Sequence, residues 1–427
     1  MYNKNHIVIT EYQRITAREN LGGGYVTVTK NQFEALEDFV LSNNLDDASN
    51  YLRLGQAGRV KFLQAQNYIG VIQLKDGLTI EILPKIAHKS GAENHEEVRG
   101  IVINMLRTLR NSPFKQANSA TLKTQCMPLL EVFISMFLDE LELLIRRGIK
   151  SDYIGYVENS PFLKGKLLFS EQIKHNLVHK ERFFVAFDEY QVNRIENRII
   201  KSTLQHLYRF SQSAKNQQRL REALFVFDQV QPVKDIRVAF SRFKLNRQIK
   251  EYEQILIWSR LFLLSESFTP HKGNTLAFAL LFDMNLLFES YVGAWLKRIH
   301  GEKVSLQDSG HFLATKDGKN VFSLKPDIVI ENGVIVADTK WKLLDEADKD
   351  KAGISQADMY QMFAYANKYT NCKSVVLIYP KTETTDSIQV NYCFEGLAGR
   401  NDPVSVEVKF FDLTKGFGSQ GFTLSIS

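Results

Sequence analysis

The sequence is poor in cysteine, with three in 427 residues, at Cys126, Cys372 and Cys393. No Cys-x-x-Cys pair is present, so the sequence offers no cysteine-based zinc site. An odd and sparse cysteine count also excludes the disulfide framework of small secreted proteins. The cysteine content therefore favours a protein of the reducing cytoplasm.

The sequence also lacks long apolar runs of the kind that enter membranes. Its N-terminal segment, MYNKNHIVITEYQR, does not show the charged and then apolar order of a signal peptide. The most apolar helix candidate spans 128–150 and contains four acidic residues, Glu131, Asp139, Glu140 and Glu142. Because charged side chains are costly in the bilayer core, this helix is not a membrane span. We therefore expect a soluble, cytoplasmic protein without membrane contact.

A phosphate-binding loop is absent as well, since no G-x-x-x-x-G-K-[ST] sequence occurs. We therefore expect that this chain binds no nucleotide by itself. Neither sign of charge dominates, because the net charge is +6 and the isoelectric point is near 8.9. Such a mildly basic balance is compatible with a nucleic-acid partner but does not identify one.

The length and the hydrophobic patterns predict a multidomain α+β protein. At roughly 100–200 residues per domain, the chain forms two or three domains. Residues 1–92 show short β-branched and aromatic runs between glycine turns, which predict a small β-rich domain with one helix. Residues 93–265 show mainly helical periodicity with some strand, and residues 266–427 alternate helices and strands as in an α/β domain.

The third segment supplies the elements that matter for function. An amphipathic helix is predicted over 273–301, followed by strands over 304–315, 321–331 and 334–341. A second helix, SQADMYQMFAYANKYT, and a buried strand, SVVLIYP, come next. This order of helix, β-meander, helix and strand is typical of an α/β sheet domain.

The middle segment is uneven in charge. Between residues 201 and 250, eleven basic residues stand against three acidic ones, so this window is +8 while the rest of the chain is −2. In nucleic-acid-binding proteins a basic surface of this kind tracks the phosphate backbone. A solvated helix face and a docking surface for an acidic protein are the two alternatives.

The stretch PDIVIENGVIVADTK places charged residues among apolar ones. Asn332-Gly333 predicts a hairpin turn, because both residues tolerate a positive φ. Asp338 and Lys340 are two apart on the second strand, so they project from the same face of the sheet. Asp327 begins the preceding strand, and the hairpin is expected to bring both carboxylates to one end of the sheet.

These three side chains follow the pattern Pro-Asp, spacer, Asp-x-Lys of the PD-(D/E)xK nuclease fold. Two carboxylates provide the oxygen ligands that Mg²⁺ prefers, and the metal activates a water and neutralises a phosphate. The lysine is expected to stabilise charge that grows on the phosphate oxygens. The predicted catalytic residues are therefore Asp327, Asp338 and Lys340, with Mg²⁺ as cofactor. The alternative is an ordinary hairpin with charged edges.

Three further residues are predicted to support this site. Glu289 lies on the preceding helix, where many members of this fold place an additional acidic ligand, so the predicted metal ligands are Asp327, Asp338 and Glu289. Gln361 and Tyr365 are four apart on the following helix and share a face that is directed at the DNA backbone or the metal shell. The alternative for this pair is packing on a surface helix.

With these residues in view, the chain resembles the McrC family, the nuclease subunit of McrBC-type modified-cytosine restriction systems. The resemblance rests on FLKGKLLFSEQIKHN with FDEYQVNRIENRIIKSTL, on PDIVI with VADTKWK, and on DMYQMFAYA before LIYP. The segment NYIGVIQLKDGLTIEILPKI also resembles the N-terminal domain of longer members. The role of that domain, and the residue that stimulates the partner, stay open.

The resemblance implies a function and a partner. Family members cleave modified double-stranded DNA in antiviral defense, and they dock on McrB, a hexameric AAA+ GTPase whose hydrolysis they stimulate. On this basis the basic segment 93–265 is an arm that enters the central channel of the ring, and the metal-site roles fall on Asp327, Asp338 and Lys340. Two alternatives remain: a non-catalytic adaptor of a AAA+ ring, and a repair nuclease of the same fold that works without a motor.

Overall fold

A computed structural model gives the structure of most of the chain. It describes residues 6–19, 21–22, 24–42, 51–86, 92–109, 113–116, 127–242, 247–264, 276–344, 351–382, 385, 388, 390–397, 402–415 and 421–424. These residues belong to two compact units. Unit 1 combines Met1–Leu129 with His271–Ser427, and unit 2 consists of Leu130–Pro270.

The described elements alternate between sheet and helix along the whole chain. The strands are β1 His6–Thr10, β2 Arg14–Thr16, β3 Tyr25–Thr27, β4 Leu52–Ala57, β5 Val60–Ala65, β6 Tyr68–Leu74, β7 Thr79–Leu83, β8 Asp152–Ser160, β9 Lys166–Leu167, β10 Phe183–Gln191, β11 Leu276–Asp283, β12 Val304–Leu306, β13 His311–Lys316, β14 Lys319–Leu324, β15 Ile328–Ile330, β16 Ile335–Thr339, β17 Ser374–Pro380, β18 Asn391–Phe394 and β19 Val404–Phe411. The α-helices are α1 Lys30–Ser42, α2 Ala92–Leu106, α3 Leu129–Arg147, α4 Phe169–Asn176, α5 Ile195–Phe210, α6 Ala214–Val226, α7 Ile236–Arg242, α8 Glu253–Leu264, α9 Met284–His300 and α10 Gln356–Lys368. Among the described helices, none is both long and apolar enough to cross a bilayer.

The first part of unit 1 contains two four-stranded sheets and helix α1. One sheet has the order β1-β7-β6-β11 and the other the order β3-β2-β5-β4. Leu36 and Phe39 of α1 pack in the same buried cluster as Leu63 of β5, Ile72 of β6 and Ile80 of β7. The prediction of a β-rich N-terminal region with one helix agrees with these elements.

The predicted helix over 273–301 is wrong in its first part. Residues Leu276–Asp283 form strand β11, which pairs antiparallel with β6. Helix α9 begins at Met284, and the Asp283 carboxylate caps it by accepting a hydrogen bond from the Asn285 N–H (2.8 Å). The run LAFALLF carries no polar face, and periodicity alone does not distinguish a buried strand from a buried helix in such a run.

Strand β11 also changes how the chain divides. It belongs to the predicted segment 266–427, yet it completes the sheet of the predicted segment 1–92. Contacts therefore group the first and third segments in unit 1, whereas most of segment 93–265 forms unit 2. The division into three functional domains stays a prediction.

The second part of unit 1 is built on a six-stranded sheet with the order β12-β15-β16-β17-β19-β18. Strands β16, β17 and β19 run parallel, and the others pair antiparallel with their neighbours. Helix α10 packs on this sheet, where Met362 and Ala366 share a buried cluster with Val336, Val375 and Leu377. A mixed α/β arrangement was predicted here and is confirmed at this level.

Two predicted strands are each split in the structure. The strand predicted over 321–331 is interrupted between β14 and β15 at Lys325–Pro326–Asp327, because proline has no N–H for a sheet ladder. The strand predicted over 304–315 is interrupted between β12 and β13, where Gln307 has a φ of 52°. The hairpin turn predicted at Asn332-Gly333 has the expected positive φ values of 55° and 95°. The loop is longer than the two residues predicted, because four residues separate the paired Ile330 and Ile335.

Unit 2 combines a helical core with a small antiparallel sheet of order β8-β10-β9. On α5, Ile199, Ile200, Leu204 and Leu207 are buried, and their spacing places them on one face of the helix. The buried Glu131 carboxylate joins helices of this core, since it accepts hydrogen bonds from Ser211 Oγ (2.9 Å) and Asn216 Nδ2 (2.7 Å).

The sheet of unit 2 exposes many large apolar side chains. They lie on β8, β10, α4 and the adjoining turns, and all are more than half exposed: Tyr153, Val157, Phe162, Leu163, Phe169, Ile173, Leu177, Val178 and Tyr190. We call this set the apolar surface of unit 2. Exposed apolar groups concentrated on one structural element are typical of a protein–protein contact.

Candidate active site

The β15–β16 hairpin sets two carboxylates side by side at one end of the six-stranded sheet. Ile328 pairs with Ala337 across the hairpin, and one further step in this register places Asp327 opposite Asp338. Directly opposed residues share a face of an antiparallel pair. Asp327 is fixed by Thr339, whose backbone N–H (2.7 Å) and hydroxyl (2.6 Å) both donate to Asp327 Oδ2.

Lys340 joins this pair from the end of β16. Its backbone N–H donates to the Ile378 carbonyl oxygen (2.8 Å), which extends the alignment with β17 beyond Thr339. Its Nζ lies 2.5 Å from Asp338 Oδ2 and donates to Gln361 Oε1 (2.8 Å). The three predicted catalytic residues therefore meet at one end of the strands of the six-stranded sheet.

Helix α10 supplies the second wall of the site. Gln361 Nε2 donates to Asp338 Oδ1 (3.1 Å), and the Tyr365 hydroxyl donates to the same oxygen (3.3 Å). Gln361 Nε2 also lies 2.7 Å from Tyr365 Oη. The spacing of four residues on α10 gives both side chains one face, as the sequence predicts, and in the structure that face lies against Asp338. Both side chains therefore hold the Asp338 carboxylate in its orientation.

The environment disfavours the charged forms of both carboxylates. Burial, and then the negative charge of Glu289, raise the pKa of Asp327 to about 6. Burial, and then the charge of Asp327, raise the pKa of Asp338 to about 6, against the opposing effect of Lys340. Two crowded carboxylates that are both ionised at neutral pH are stabilised by a bound cation.

Glu289 lies on α9 and is linked to Asp327 through Gln307. Its carboxylate accepts a hydrogen bond from Gln307 Nε2 (2.9 Å), and the Gln307 backbone N–H donates to the Asp327 carbonyl oxygen (3.0 Å). Burial raises the pKa of Glu289, and the charges of Asp338 and Asp283 add to that shift. Glu289 is thus an electrostatic neighbour of the two aspartates, and its role as a metal ligand stays a prediction.

The residues present fit a Mg²⁺ ion held by two carboxylates. Within the described parts of the chain, no group of three or more His, Cys, Asp or Glu side chains is arranged to hold a metal. Mg²⁺ keeps several waters and is commonly bound through one or two carboxylates, so it does not need such a group. The opposed oxygens of Asp327 and Asp338 are the donor set that the hairpin offers.

Two neighbours of the site were not predicted from the sequence. Asp358, three residues before Gln361 on α10, lies 2.7 Å from Lys342 Nζ and 3.9 Å from Lys340 Nζ. Burial raises its pKa, but the hydrogen bonds from Lys342 and Ser355 and the charges of Lys342 and Lys340 together outweigh burial, so the net shift of the pKa is downward. The helical spacing of Asp358 and Gln361 was a signal that could have found it. Thr339 was noted only as the variable position between Asp338 and Lys340.

Chemically, this end of the sheet combines the carboxylates of the partly buried Asp327 and the buried Asp338 with the ammonium group of Lys340. A divalent cation with a positive side chain beside it is what attack on a phosphodiester requires. The polar side chains around Asp338 are each held by at least one hydrogen bond; they are Lys340, Gln361 and Tyr365. The site is therefore pre-formed in the described structure.

Comparison with known proteins agrees with the resemblance seen in the sequence. The profile of the family described as "McrBC 5-methylcytosine restriction system component" matches residues 63–380. A search of curated proteins found no match.

Two solved structures share the fold. One is a refined half-complex from a tetradecameric assembly of Thermococcus gammatolerans McrB AAA+ hexamers with bound McrC, with a TM-score of 0.66 and 19% identity over 98% of this chain and 97% of that chain. The other is the cryo-EM structure of the Thermococcus gammatolerans McrBC complex, with a TM-score of 0.50 and 20% identity over 69% of this chain and 87% of that chain. At these identities the likeness concerns the fold.

Proposed function

Because the chain belongs to the McrBC 5-methylcytosine restriction system component family, we propose that it is the DNA-cleaving subunit of such a system. In this proposal it is a Mg²⁺-dependent endodeoxyribonuclease of the PD-(D/E)xK type that acts on modified double-stranded DNA. The observation that carries the proposal is the convergence of Asp327, Asp338, Lys340 and Gln361 at one sheet edge. A role in antiviral defense within the cytoplasm follows from this function.

The chain's own residues divide the work as follows. Asp327 and Asp338 hold the cation, which when bound supplies a Lewis acid that activates water and neutralises phosphate charge. Lys340 stabilises the negative charge that develops on the phosphate oxygens. Gln361 and Tyr365 hold Asp338 in orientation, as supporting groups around a metal ligand do.

The proposed partner is a hexameric McrB-like AAA+ GTPase. Both solved structures that share the fold contain McrB together with McrC, and one is described as McrC bound to McrB AAA+ hexamers. The apolar surface of unit 2 supports a docking role for the segment 93–265. Phe162 and Phe169 are exposed to water, and the free energy falls when a partner covers them. In this scheme residues 266–427 carry the nuclease, and the β-rich residues 1–92 belong to the same compact unit through the pairing of β6 with β11.

Some of the basic side chains between residues 201 and 250 contact other groups of unit 2. The buried Lys201 donates to the Phe227 carbonyl oxygen (2.8 Å). Arg219 pairs with Asp139 (2.6 Å) and Glu142 (2.8 Å) of α3. These contacts favour a structural role for those two cations over direct contact with DNA.

A non-catalytic adaptor of a AAA+ ring is the second candidate, and the apolar surface of unit 2 is the observation that favours it. The two candidates make different predictions for one experiment. The chain is purified with its AAA+ partner, and cleavage of 5-methylcytosine DNA is measured with Mg²⁺ and GTP for the wild type and for Asp338→Ala. Loss of cleavage in the variant, with GTP hydrolysis still stimulated, supports the nuclease.

If the wild-type complex stimulates GTP hydrolysis but never cleaves methylated DNA, the adaptor is the correct function. If instead the chain cleaves DNA without any partner, it is a motor-independent nuclease of the same fold. ATP replaces GTP in a parallel reaction, so that the nucleotide used by the partner does not decide the outcome.

A further inference from the structure

A buried polar cluster lies directly beside the proposed catalytic lysine. Trp341, the residue after Lys340, is 3% exposed, and its indole Nε1–H lies 3.0 Å from both carboxylate oxygens of Glu11. Glu11 itself is 2% exposed and follows β1, at the other end of the sequence. The contact therefore joins the N-terminal β-rich region to the end of β16.

Lys85 completes the cluster from the end of β7. Its Nζ donates to the Trp341 carbonyl oxygen (2.7 Å) and lies 5.3 Å from the centroid of the Trp341 ring. Its backbone N–H donates to Glu11 Oε2 (2.8 Å). The parallel pairing of β1 with β7 brings Glu11 and Lys85 to the same end of their sheet. Trp341 is thus held at its side chain by Glu11 and at its carbonyl by Lys85.

These contacts fix the backbone on which Lys340 stands. The Lys340 N–H is bonded to Ile378, and the Lys342 N–H donates to the Lys340 carbonyl oxygen (2.9 Å). With Trp341 anchored as well, the peptide groups on both sides of Lys340 are restrained. A Lys side chain has many rotamers, so a fixed backbone is needed before Gln361 and Asp338 can set its Nζ.

The cluster is costly for folding, which argues against a purely structural role. Burial raises the pKa of Glu11 to about 7, against the favourable charge of Lys85. Burial likewise lowers the pKa of Lys85. An apolar core of similar volume is often as stable as one that buries two charged groups, or more stable. The buried carboxylate of Glu11 and the buried ammonium group of Lys85 therefore hold their shared neighbour, Trp341, in place.

We infer that Glu11 and Lys85 are positioning residues of the nuclease, which act through Trp341 to hold Lys340 in its place at the site. The inference rests on the proposed function and assigns a role to the N-terminal β-rich region, which completes the nuclease rather than reading DNA. Misplacement of a reacting group by about 1 Å costs up to about 10²-fold in rate. The role of this region is thus open to direct measurement.

The test compares two tryptophans of unit 1. Trp341→Phe removes the indole N–H that Glu11 accepts, whereas Trp295→Phe removes another largely buried indole N–H, which donates to the Phe422 carbonyl oxygen (2.9 Å). Lys85→Met is a second variant that removes the ammonium group and keeps the side-chain length. For each, the complex with the AAA+ partner is assayed for single-turnover cleavage, DNA affinity, GTPase stimulation and melting temperature.

We expect Trp341→Phe and Lys85→Met to lower the single-turnover rate by about 10-fold or more, with DNA affinity and GTPase stimulation within about 2-fold of the wild type. Trp295→Phe is expected to keep the rate while losing similar thermal stability. Amide hydrogen exchange of the peptide that contains Lys340 gives a readout without activity, and it is expected to quicken only in Trp341→Phe and Lys85→Met.

Equal rates and equal exchange in Trp341→Phe and Trp295→Phe would overturn the inference and leave the proposed nuclease intact. If the wild-type complex itself does not cleave, the proposed nuclease function fails, and Glu11 and Lys85 then have no catalytic lysine to position. The same set of proteins therefore separates the two failures.

Discussion

Two regions of this protein reverse the usual distribution of polar and apolar groups. At the sheet edge of unit 1, Asp338 is 2% exposed, and Asp327 and Lys340 are at least partly buried beside it. On the apolar surface of unit 2, Phe162 and Phe169 are 75% and 72% exposed. The first region buries charged groups, which water stabilises. The second exposes apolar groups, which are more stable away from water.

The difference between them indicates what each region lacks. The carboxylates of unit 1 already have hydrogen-bond partners, yet burial and their mutual repulsion raise their pKa values, which is why we propose that a cation completes the site. The phenylalanines of unit 2 need apolar surface from another molecule, because hydrogen bonds do not compensate them. Chemistry and docking are therefore expected to reside in different units and to be separable by mutation.

The largest expected effect is on chemistry, from Lys340→Met. Removal of the ammonium group beside the scissile phosphate is expected to lower single-turnover cleavage by about 10²–10³-fold. GTPase stimulation should stay at the wild-type level, because Lys340 belongs to unit 1. The measurement is DNA cleavage by the complex under saturating Mg²⁺.

Lys342→Met is the matched control for that change. Lys342 is two residues further on and pairs with Asp358, but its side chain is 48% exposed. We expect its cleavage rate within about 3-fold of the wild type, since partly exposed ion pairs contribute about 1 kcal/mol or less. Equal losses from the two lysines would mean that general positive charge, rather than the site, is required.

The next effect concerns docking. Phe162→Asp combined with Phe169→Asp places charges on the apolar surface, and we expect the AAA+ partner to bind about 10–100-fold more weakly. Stimulation of GTP hydrolysis should fall in parallel, while the unit 1 site keeps its affinity for Mg²⁺. Phe225→Asp is the control, because Phe225 is 82% exposed on α6 and lies outside the apolar surface. Unchanged partner affinity in the double variant would remove this surface from the docking role.

A smaller loss is expected from the support of Asp338. Gln361→Ala removes hydrogen bonds to Asp338 and Lys340, and changes in groups that orient metal ligands cost about 10–100-fold in metal affinity or activity. We expect the lower end of this range, since Tyr365 still donates to Asp338. The control is Gln356→Ala on the same helix, which removes a hydrogen bond from Gln356 to Tyr360. A cleavage rate for Gln361→Ala equal to that of Gln356→Ala would contradict this role.

The smallest expected effect is on stability, and it has the opposite sign. The pKa of Asp338 is raised to about 6 from 3.8, so ionisation is less favourable in the folded state than in the unfolded state. The contribution of the protonated carboxyl to stability is present below pH 3.8 and is lost as the pH rises through 6. At pH 8 without metal, Asp338→Asn is therefore expected to melt about 2 °C or more above the wild type.

The gain in melting temperature should shrink as the pH is lowered below 6, which calorimetry at several pH values can follow. Cleavage by the wild type should fall over the same interval, because protonated carboxyls no longer attract the cation. A variant that is less stable than the wild type at pH 8 would show that Asp338 is retained for folding rather than for chemistry.

The sequence predicted which residues converge around Asp338 better than it predicted the strands, and the reason is the length scale of each signal. Asp327, Asp338 and Lys340 lie within one hairpin, whose turn at Asn332-Gly333 is encoded locally. Gln361 was found because helical spacing is also local. No comparable signal links Glu11 to Trp341, since these residues are 330 positions apart and meet only through the tertiary fold.

The errors in the fold have a similar origin. Strand β11 was predicted as helix because LAFALLF is apolar at every position, and only its pairing with β6 decides its conformation. The break between β14 and β15 coincides with Pro326, which has no N–H for the sheet ladder. Side-chain exposure on β8 and β10 depends on what covers them, and a single sequence contains no such information.

The most direct test of the central claim is a calorimetric titration of Mg²⁺ into the full chain and into Asp327→Asn/Asp338→Asn at pH 8. We predict a saturable binding heat for the wild type and none for the double variant, whose amide groups leave the site without negative charge. Saturable binding of the same affinity in the double variant would contradict the claim that these two carboxylates hold the catalytic cation.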